Sequence, residues 1–202
     1  VESVVEAVDI PVVASGGVCI RVPGAGGLGS PVDPDPSHPP RRGVQHGDHR
    51  VAEFDAVDDD YSAILVKILA DRLAEAFAEY MHMVVRREIW GYAPNEQLDL
   101  ESLLKIEYQG IRPAPGYPPC PDHRDKEVIW KLLEPDARCG ITLTESRMMM
   151  PGASVSGFYY SHPKSTYWGV GRLGKDQLSD YSRRMGSSIE ESEKWLASVL
   201  GY

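Results

Sequence analysis

The sequence predicts an α+β fold in which one long helix packs with a small, mainly antiparallel sheet and with helices at the C-terminus. Three observations support this class. Apolar residues recur at three- and four-residue steps between residues 64 and 85. Three later segments, 140–145, 153–160 and 166–172, have the composition of short strands. Helix-capping signals near residue 187 precede a last amphipathic segment. Because helices and strands do not alternate regularly, the predicted class is α+β.

The long helix is predicted to extend from about residue 58 to Trp90. Asp58, Asp59 and Asp60 can cap its N-terminus, where acidic side chains also favour the helix dipole. No proline or glycine interrupts the pattern before Gly91. At 1.5 Å per residue such a helix would be about 45 Å long, and we expect it to be the main structural element.

The elements after the long helix are short. Ala153–Tyr160 and Thr166–Arg172 are predicted to form a hairpin around the turn at residues 162–165. Further helices are predicted near residues 100–105, 126–133 and 175–184. The last helix begins at Ser187 or Ser188, since each has a glutamate three residues later, as in a capping box.

The N-terminal part of the chain differs in composition from the rest. Residues 1–18 contain the apolar run Val12–Ala14 followed by Ser-Gly-Gly, which is typical of a phosphate-binding βα turn in a (β/α)8 barrel. A single βα unit cannot bury its own faces, so we interpret it as a short barrel-like fragment without its own function. Residues 19–57 are interpreted as a Gly/Pro-rich linker, and residues 58–202 as the folded domain.

The linker contains a literal G-x-G-x-x-G motif at Gly24, Gly26 and Gly29. A dinucleotide site requires a helix to begin inside this motif. Five prolines follow within eleven residues instead, and proline both removes N–H donors and blocks a helix. The motif therefore does not predict a nucleotide-binding loop.

Composition excludes several classes of protein. The formal net charge of −9 opposes binding to a phosphate backbone, so we expect no nucleic-acid partner. No apolar run approaches the roughly 20 residues that span a bilayer, so we expect no membrane partner. Three sparse cysteines do not form a disulfide framework, and no signal peptide is recognisable. These features favour a cytoplasmic protein.

An acidic stripe is predicted on one face of the long helix. Asp71, Glu75, Glu79 and His82 follow each other at spacings of four, four and three residues. The stripe is either a solvated surface paired with neighbouring basic residues, or a source of carboxylates for an amine or a cationic ligand. The sequence pattern leaves both interpretations open.

The most informative segment is Gly110–Tyr117, with the sequence G-I-R-P-A-P-G-Y. Because each precedes a proline, Arg112 and Ala114 are predicted to be extended, which leaves backbone groups free to contact the edge of a base. Arg112 can present a planar fork to a carboxylate, and Tyr117 offers a ring face and a hydroxyl. The alternative is a surface turn with the composition of an SH3 ligand.

Neither a metal site nor a catalytic residue is predicted. Cys120 and His123 have C-x-x-H spacing and Cys139 lies further on, but a fourth close ligand is lacking. Ser154 and Ser156 do not match the nucleophile elbow, and no acid–histidine pair accompanies them. The small residues around Gly157 indicate close packing of the backbone or approach of a ligand.

Several segments together resemble one family. They occur in order along residues 58–202: D-R-L-A-E-A-F-A-E from Asp71, R-P-A-P-G-Y from Arg112, C-P-D-H from Cys120, T-E-S from Thr144, A-S-V-S-G from Ala153, His162-Pro163, Tyr167, Asp176-Gln177, Asp180-Tyr181, Trp195-Leu196 and the closing L-G-Y. The chain resembles the C-terminal part of the activation domain of cobalamin-dependent methionine synthase.

The resemblance implies a function in methionine biosynthesis. That domain binds S-adenosylmethionine and docks on the cobalamin-binding domain. An electron from flavodoxin or a diflavin reductase, with a methyl group from S-adenosylmethionine, then returns inactive cob(II)alamin to methylcobalamin. The parent enzyme is a 5-methyltetrahydrofolate–homocysteine methyltransferase. Positions that the resemblance assigns to S-adenosylmethionine binding are Glu75, Arg112, Ala114, Tyr117, Tyr167 and, adjacent to it, Trp168.

The chain also departs from the family. The family's domain is roughly twice as long, and its first half, which supplies an aspartate to the ligand, has no counterpart in residues 1–57. No D-x-H-x-x-G cobalt-ligand motif occurs, so cobalamin is expected only through the missing domain of the parent enzyme. We therefore expect the isolated chain to be inactive as a methyltransferase. The alternative is a non-catalytic docking module, or an inactive fragment, that contacts a cobalamin domain or a flavoprotein.

Overall fold

A computed structural model describes residues 10–15, 17–20 and 43–202, and it confirms the predicted α+β class. The helices are α1 (Gly43–Asp55), α2 (Asp60–Val84), α3 (Leu100–Leu104), α4 (Asp125–Leu133), α5 (Pro135–Cys139), α6 (Lys175–Met185) and α7 (Ile189–Leu196). A π-helical turn (Val85–Ile89) extends α2, and a 3₁₀ turn (Ala197–Val199) follows α7. The strands are β1 (Ile10–Ser15), β2 (Gly17–Ile20), β3 (Thr142–Leu143), β4 (Met149–Met150) and β5 (Val155–Tyr159).

The long helix forms where the apolar periodicity predicts it. Asp59 caps α2 by accepting a hydrogen bond from the Ser62 N–H at 3.0 Å. At the other end the helix widens into the π turn, and the N–H groups of Trp90 and Gly91 both donate to the Val85 carbonyl. Gly91 has a φ of +70°, a conformation that ends the helix at the predicted residue.

The larger sheet is antiparallel and has the order β2-β1-β5. Ile10 pairs with Tyr159 and Ala14 with Val155, so β1 covers one edge of β5. On the other edge of β5, Ile111 forms a bridge to Tyr160. Among the described residues, the smaller sheet consists of β3 and β4, with Thr142 paired to Met150. The strand predicted at residues 140–145 is therefore shorter than expected.

The predicted strand Thr166–Arg172 is absent, and the hairpin prediction was wrong. The edge of β5 that this strand would need is occupied by the segment around Pro113, whose carbonyl accepts from the Phe158 N–H at 3.0 Å. The 166–172 segment contacts the 110–119 loop instead of β5, since the Val170 N–H donates to the Pro118 carbonyl at 3.1 Å. It is irregular and lies against the 110–119 loop.

The N-terminal part also differs from the prediction. The strand around Val12–Ala14 exists, but a second strand, β2, follows it where a barrel-type βα unit would begin its helix. Helix α1 lies inside the range interpreted as a linker, 19–57, so helical structure begins before residue 58. The glycine motif at 24–29 lies outside the described residues.

Two buried clusters lie on opposite sides of β5. Phe158 packs with α4 and the start of the smaller sheet, in a cluster that consists of Ile129, Leu133, Ile141 and Phe158. Tyr159, the next residue of the strand, packs against Val85 at the end of α2. Since successive side chains of a strand point to opposite faces, β5 separates these clusters and holds α2 and α4 in place.

The C-terminal helices follow the predicted capping signals. Helix α6 ends at Gly186, which has a φ of +68°. Of the two predicted N-caps for the last helix, the structure uses Ser188, whose side chain accepts from the Glu191 N–H at 3.1 Å. Within the described part of the chain, no helix has the length and apolarity needed to cross a membrane.

Candidate ligand-binding site

A cavity of about 530 Å³ opens between α2, the 110–119 loop and the irregular segment 167–169. The six residues assigned to ligand binding by resemblance all line it: Glu75, Arg112, Ala114, Tyr117, Tyr167 and Trp168. They come from three separate parts of the chain. The fold thus brings together residues up to 93 positions apart, from Glu75 to Trp168.

The 110–119 loop is held in place by backbone hydrogen bonds. The Gly116 N–H donates to the Cys120 carbonyl at 2.7 Å, and the Tyr117 N–H donates to the Ala114 carbonyl at 3.2 Å. Gly116 has a φ of +99°, and a Cβ there would lie 2.3 Å from the ring of His123. Only glycine fits both conditions, so this residue fixes the turn that presents Tyr117.

Close approach of β5 to the loop also depends on glycine. A Cβ on Gly157 would lie 2.7 Å from the carbonyl oxygen of Pro113, which is too short for a non-bonded contact. The small residue allows the loop to lie directly along the strand. The prediction of close backbone packing around Gly157 therefore agrees with the geometry.

Arg112 is the most strongly tethered residue of the cavity. Its guanidinium donates to the Ala78 carbonyl at 3.0 Å and to Glu79 Oε2 at 3.2 Å, both on α2. Its backbone N–H donates to the Tyr167 hydroxyl at 2.7 Å. The arginine consequently connects all three walls of the cavity, and 18% of its side chain is exposed.

The other side chains supply negative charge and aromatic surface. Glu75 is exposed and forms an ion pair with Arg72, one turn nearer the start of α2, at 2.7 Å. Tyr117 and Trp168 are exposed by 63% and 60%. Carboxylates and aromatic faces both attract a cation, so this side of the cavity suits a positively charged group.

The residues of the acidic stripe on α2 differ in their exposure to solvent. Asp71 and Glu75 are exposed, Glu79 is half-buried and His82 is fully buried. The two interpretations of the stripe thus apply to different residues. Its exposed end is solvated, whereas Glu79 and His82 belong to a buried polar layer beneath the cavity.

This polar layer was not predicted from the sequence. Arg86 lies in the π turn and donates to both oxygens of Glu96, at 2.8 and 2.7 Å. Its guanidinium also lies 4.0 Å from the centre of the Tyr108 ring. Both partners of the pair are buried, with 0% and 8% of their side chains exposed. The signal that could have indicated Arg86 is its position four residues after His82, on the same helical face.

His82 is the titratable centre of the layer. Its ring stacks on Tyr159, with centroids 4.7 Å apart, and its Nε2 lies 3.3 Å from the Tyr92 hydroxyl. Burial, with the nearby charges of Arg112 and Arg86, lowers its pKa from 6.5 to about 2. Burial also raises the pKa of the Tyr92 and Tyr159 hydroxyls. These three groups are therefore neutral at physiological pH.

A second buried ion pair anchors the end of the loop to α6. Arg124 donates to both carboxylate oxygens of Asp122, and the Tyr181 hydroxyl donates to Asp122 Oδ2 at 2.8 Å. Burial acts to raise the pKa of the Asp122 carboxyl, but these hydrogen bonds outweigh it and lower the pKa. The loop is thus fixed at both ends.

The residues considered as metal ligands are dispersed. Cys120 Sγ contacts Asp125 Oδ2 at 3.1 Å, and the Lys126 ammonium lies 2.7 Å from His123 Nδ1. Cys139 packs against the apolar cluster on α4. Between residues 49 and 202 no three His, Cys, Asp or Glu side chains are grouped as a metal site requires.

Comparison with known proteins assigns the domain. The family model described as "Vitamin B12 dependent methionine synthase, activation domain" matches residues 43–186. The chain belongs to this family. The match begins at α1, so the activation-domain segment starts before residue 58, the boundary predicted from the sequence.

A solved structure supports the same assignment. The structure titled "Crystal Structure of the MetH Reactivation Domain bound to AdoHcy" is 57% identical to this chain, with a TM-score of 0.76. The match covers 79% of this chain and 49% of that one. The chain therefore spans about half the length of the reactivation domain that it matches, and the family resemblance seen in the sequence is confirmed.

Proposed function

We propose that this chain binds S-adenosylmethionine in the cavity between α2 and the 110–119 loop, for reductive methylation of cob(II)alamin in a cobalamin-dependent methionine synthase. The observation that carries the proposal is the lining of that cavity. It combines a tethered guanidinium, a carboxylate and exposed aromatic rings, in a chain 57% identical to a domain whose structure contains AdoHcy.

Each lining group has a counterpart in the chemistry of the ligand. The remaining N–H groups of Arg112 suit the ligand's carboxylate. Glu75 suits its ammonium group, and the rings of Tyr117 and Trp168 suit the positive sulfonium and the adenine. The backbone around Ala114 suits the polar edge of the base. Their function is to bind and orient the ligand, and we assign no catalytic residue and no resident metal.

The bound ligand would supply the methyl group, and a flavodoxin or a diflavin reductase would supply the electron that reduces cob(II)alamin. Cobalamin itself would be held by the cobalamin-binding domain of the methionine synthase, against which the open side of the cavity would dock. The parent activity is that of a cytoplasmic 5-methyltetrahydrofolate–homocysteine methyltransferase. We propose no methyltransferase activity for the isolated chain.

Titration calorimetry of the purified chain with S-adenosylmethionine tests the proposal. We expect saturable binding that Arg112→Ala weakens by about ten- to a hundredfold, because a charge-assisted hydrogen bond to a carboxylate contributes roughly 1.5–3 kcal/mol and about 1.4 kcal/mol is a factor of ten in affinity. Arg183→Ala is the matched control, since Arg183 is exposed on α6 and pairs with Asp180.

Two results would contradict the proposal. If the folded wild-type chain does not bind, it is better described as a docking module for a cobalamin domain or a flavoprotein. If Arg112→Ala and Arg183→Ala bind as tightly as the wild type, the ligand occupies a different site.

A further inference from the structure

Glu79 is the acidic residue nearest to Arg112, yet it does not line the cavity. Its Oε2 accepts from Arg112 Nη2 at 3.2 Å, and a third of its side chain is exposed. Glu75, one turn earlier on α2, does line the cavity and pairs with Arg72 instead. Neighbouring acids on one helical face thus contact different arginines, and Glu79 is placed to act on a ligand through Arg112.

The orientation of the Arg112 guanidinium depends on two attachments to the same turn of α2. Nη1 donates to the Ala78 carbonyl, and Nη2 donates to the Glu79 carboxylate. A guanidinium has five N–H groups in one plane, so fixing one on each terminal nitrogen sets the direction of the remaining three. A long side chain that is held in this way loses less rotational freedom when it binds a ligand.

The Ala78 carbonyl alone would be a weaker anchor. In an α-helix this oxygen already accepts the N–H of the residue four positions later, so Arg112 uses its second lone pair. Glu79 adds the charge, and a charge-assisted hydrogen bond is roughly twice as strong as a neutral one. Removing the charge of Glu79 while keeping its shape should therefore loosen the guanidinium.

The balance of charges around Arg112 also indicates that Glu79 holds its guanidinium in place. Arg112 and Arg86 both lie close enough to His82 to affect its ionisation. The Arg86 charge is balanced by Glu96. Glu79 provides the equivalent balance for Arg112. Without it, the Arg112 guanidinium would be drawn toward solvent, away from the buried layer.

We propose that Glu79 is a positioning residue that directs the Arg112 guanidinium toward the amino-acid end of S-adenosylmethionine. This inference rests on the proposed function and adds a specificity-determining residue to it. Glu79 acts on the carboxylate end of the ligand only, so its contribution is absent for a ligand that ends at the thioether.

The test compares two ligands that share the adenosine part. AdoHcy has the amino-acid end, whereas 5′-methylthioadenosine lacks it. For Glu79→Gln in the full chain we expect about three- to tenfold weaker binding of AdoHcy, in line with one lost charge on a partly exposed pair. Binding of methylthioadenosine should be unchanged. Glu88→Gln, which changes an exposed acid of the π turn, is the matched control.

A double-variant comparison shows whether the effect passes through Arg112. Adding Glu79→Gln to Arg112→Ala should weaken AdoHcy binding no further, because the residue through which Glu79 acts is already absent. If Glu79→Gln does not fold, Glu79→Asp keeps the charge on a shorter stem. We expect it to lose part of the AdoHcy affinity and to retain methylthioadenosine binding.

The outcomes separate this inference from the proposed function. A wild-type chain that binds AdoHcy, with a Glu79→Gln variant that binds it equally well, overturns the positioning role alone. Equal weakening for both ligands also overturns it, since that pattern indicates a general structural effect. A folded wild-type chain that binds neither ligand overturns the proposed function and this inference together.

Discussion

Replacing Glu96 by alanine is expected to destabilise the chain by about 3–5 kcal/mol, because the substitution leaves a buried, unpaired guanidinium. Arg86 is fully buried and donates two hydrogen bonds to Glu96. Its Nη1 has no partner among the described residues, so Glu96 is its main source of compensation. Urea denaturation at neutral pH measures the loss.

The matched control for Glu96→Ala is an ion pair at the surface. Glu101 accepts from Lys105 at 2.6 Å, with both side chains mostly exposed. Glu101→Ala should change the free energy of unfolding by about 0.5 kcal/mol or less. If both variants lose the same small amount, the Arg86–Glu96 pair is not the buried anchor that its geometry indicates.

Local periodicity was sufficient to predict the extent of the long helix but not the form of its last turn. The apolar spacing and the absence of proline predict a helix to Trp90, and the chain is helical to Ile89. The last turn is a π helix, which inserts one extra residue per hydrogen-bonded turn. Apolar spacing does not distinguish the two forms over five residues. Arg86 lies in this turn and is fully buried.

Tertiary context decided two elements that differ from the sequence analysis. In helix α1, Val44 is the one apolar side chain among the first eight residues, so the sequence signal was weak there, and the principal neighbour of the helix is α2. The 166–172 segment has strand-like composition, but the 110–119 loop occupies the edge of β5. Secondary-structure propensity depends on the residues of a segment alone. Whether α1 and the 166–172 segment form regular structure depends also on the elements that they pack against.

One part of the candidate site could be predicted from the sequence, and the other could be identified only in the structure. Family resemblance supplied the six lining residues, and the fold places them around one cavity; their role in binding stays a prediction. The layer beneath depends on contacts between distant positions, such as Arg112 with Glu79 and His82 with Tyr159. No spacing rule specifies such pairs, so only the structure could identify them.

Lowering the pH from neutral to about 5 is expected to remove about 2 kcal/mol of stability through His82 alone. Its pKa is about 2 in the folded chain and 6.5 as a free side chain. Between these values the unfolded chain binds a proton at His82 and the folded chain does not. Stability therefore rises with pH in this window, and the contribution is fully present only above the unfolded pKa.

The His82→Phe variant isolates this contribution, because it keeps an aromatic ring against Tyr159 and Tyr108 but cannot take a proton. Carboxyl groups with a lowered pKa, such as Asp122, also make the folded chain less stable in acid. Because they are present in the wild type and in the variant, their effect cancels in the comparison. Denaturant titrations at both pH values should show a loss about 2 kcal/mol larger for the wild type. Equal losses would mean that the folded chain accommodates a charged imidazole. At pH 5 the ring of His82 would then carry a proton, and S-adenosylmethionine affinity should fall as the pH is lowered from neutral to 5, because the charged His82 and Arg112 repel each other.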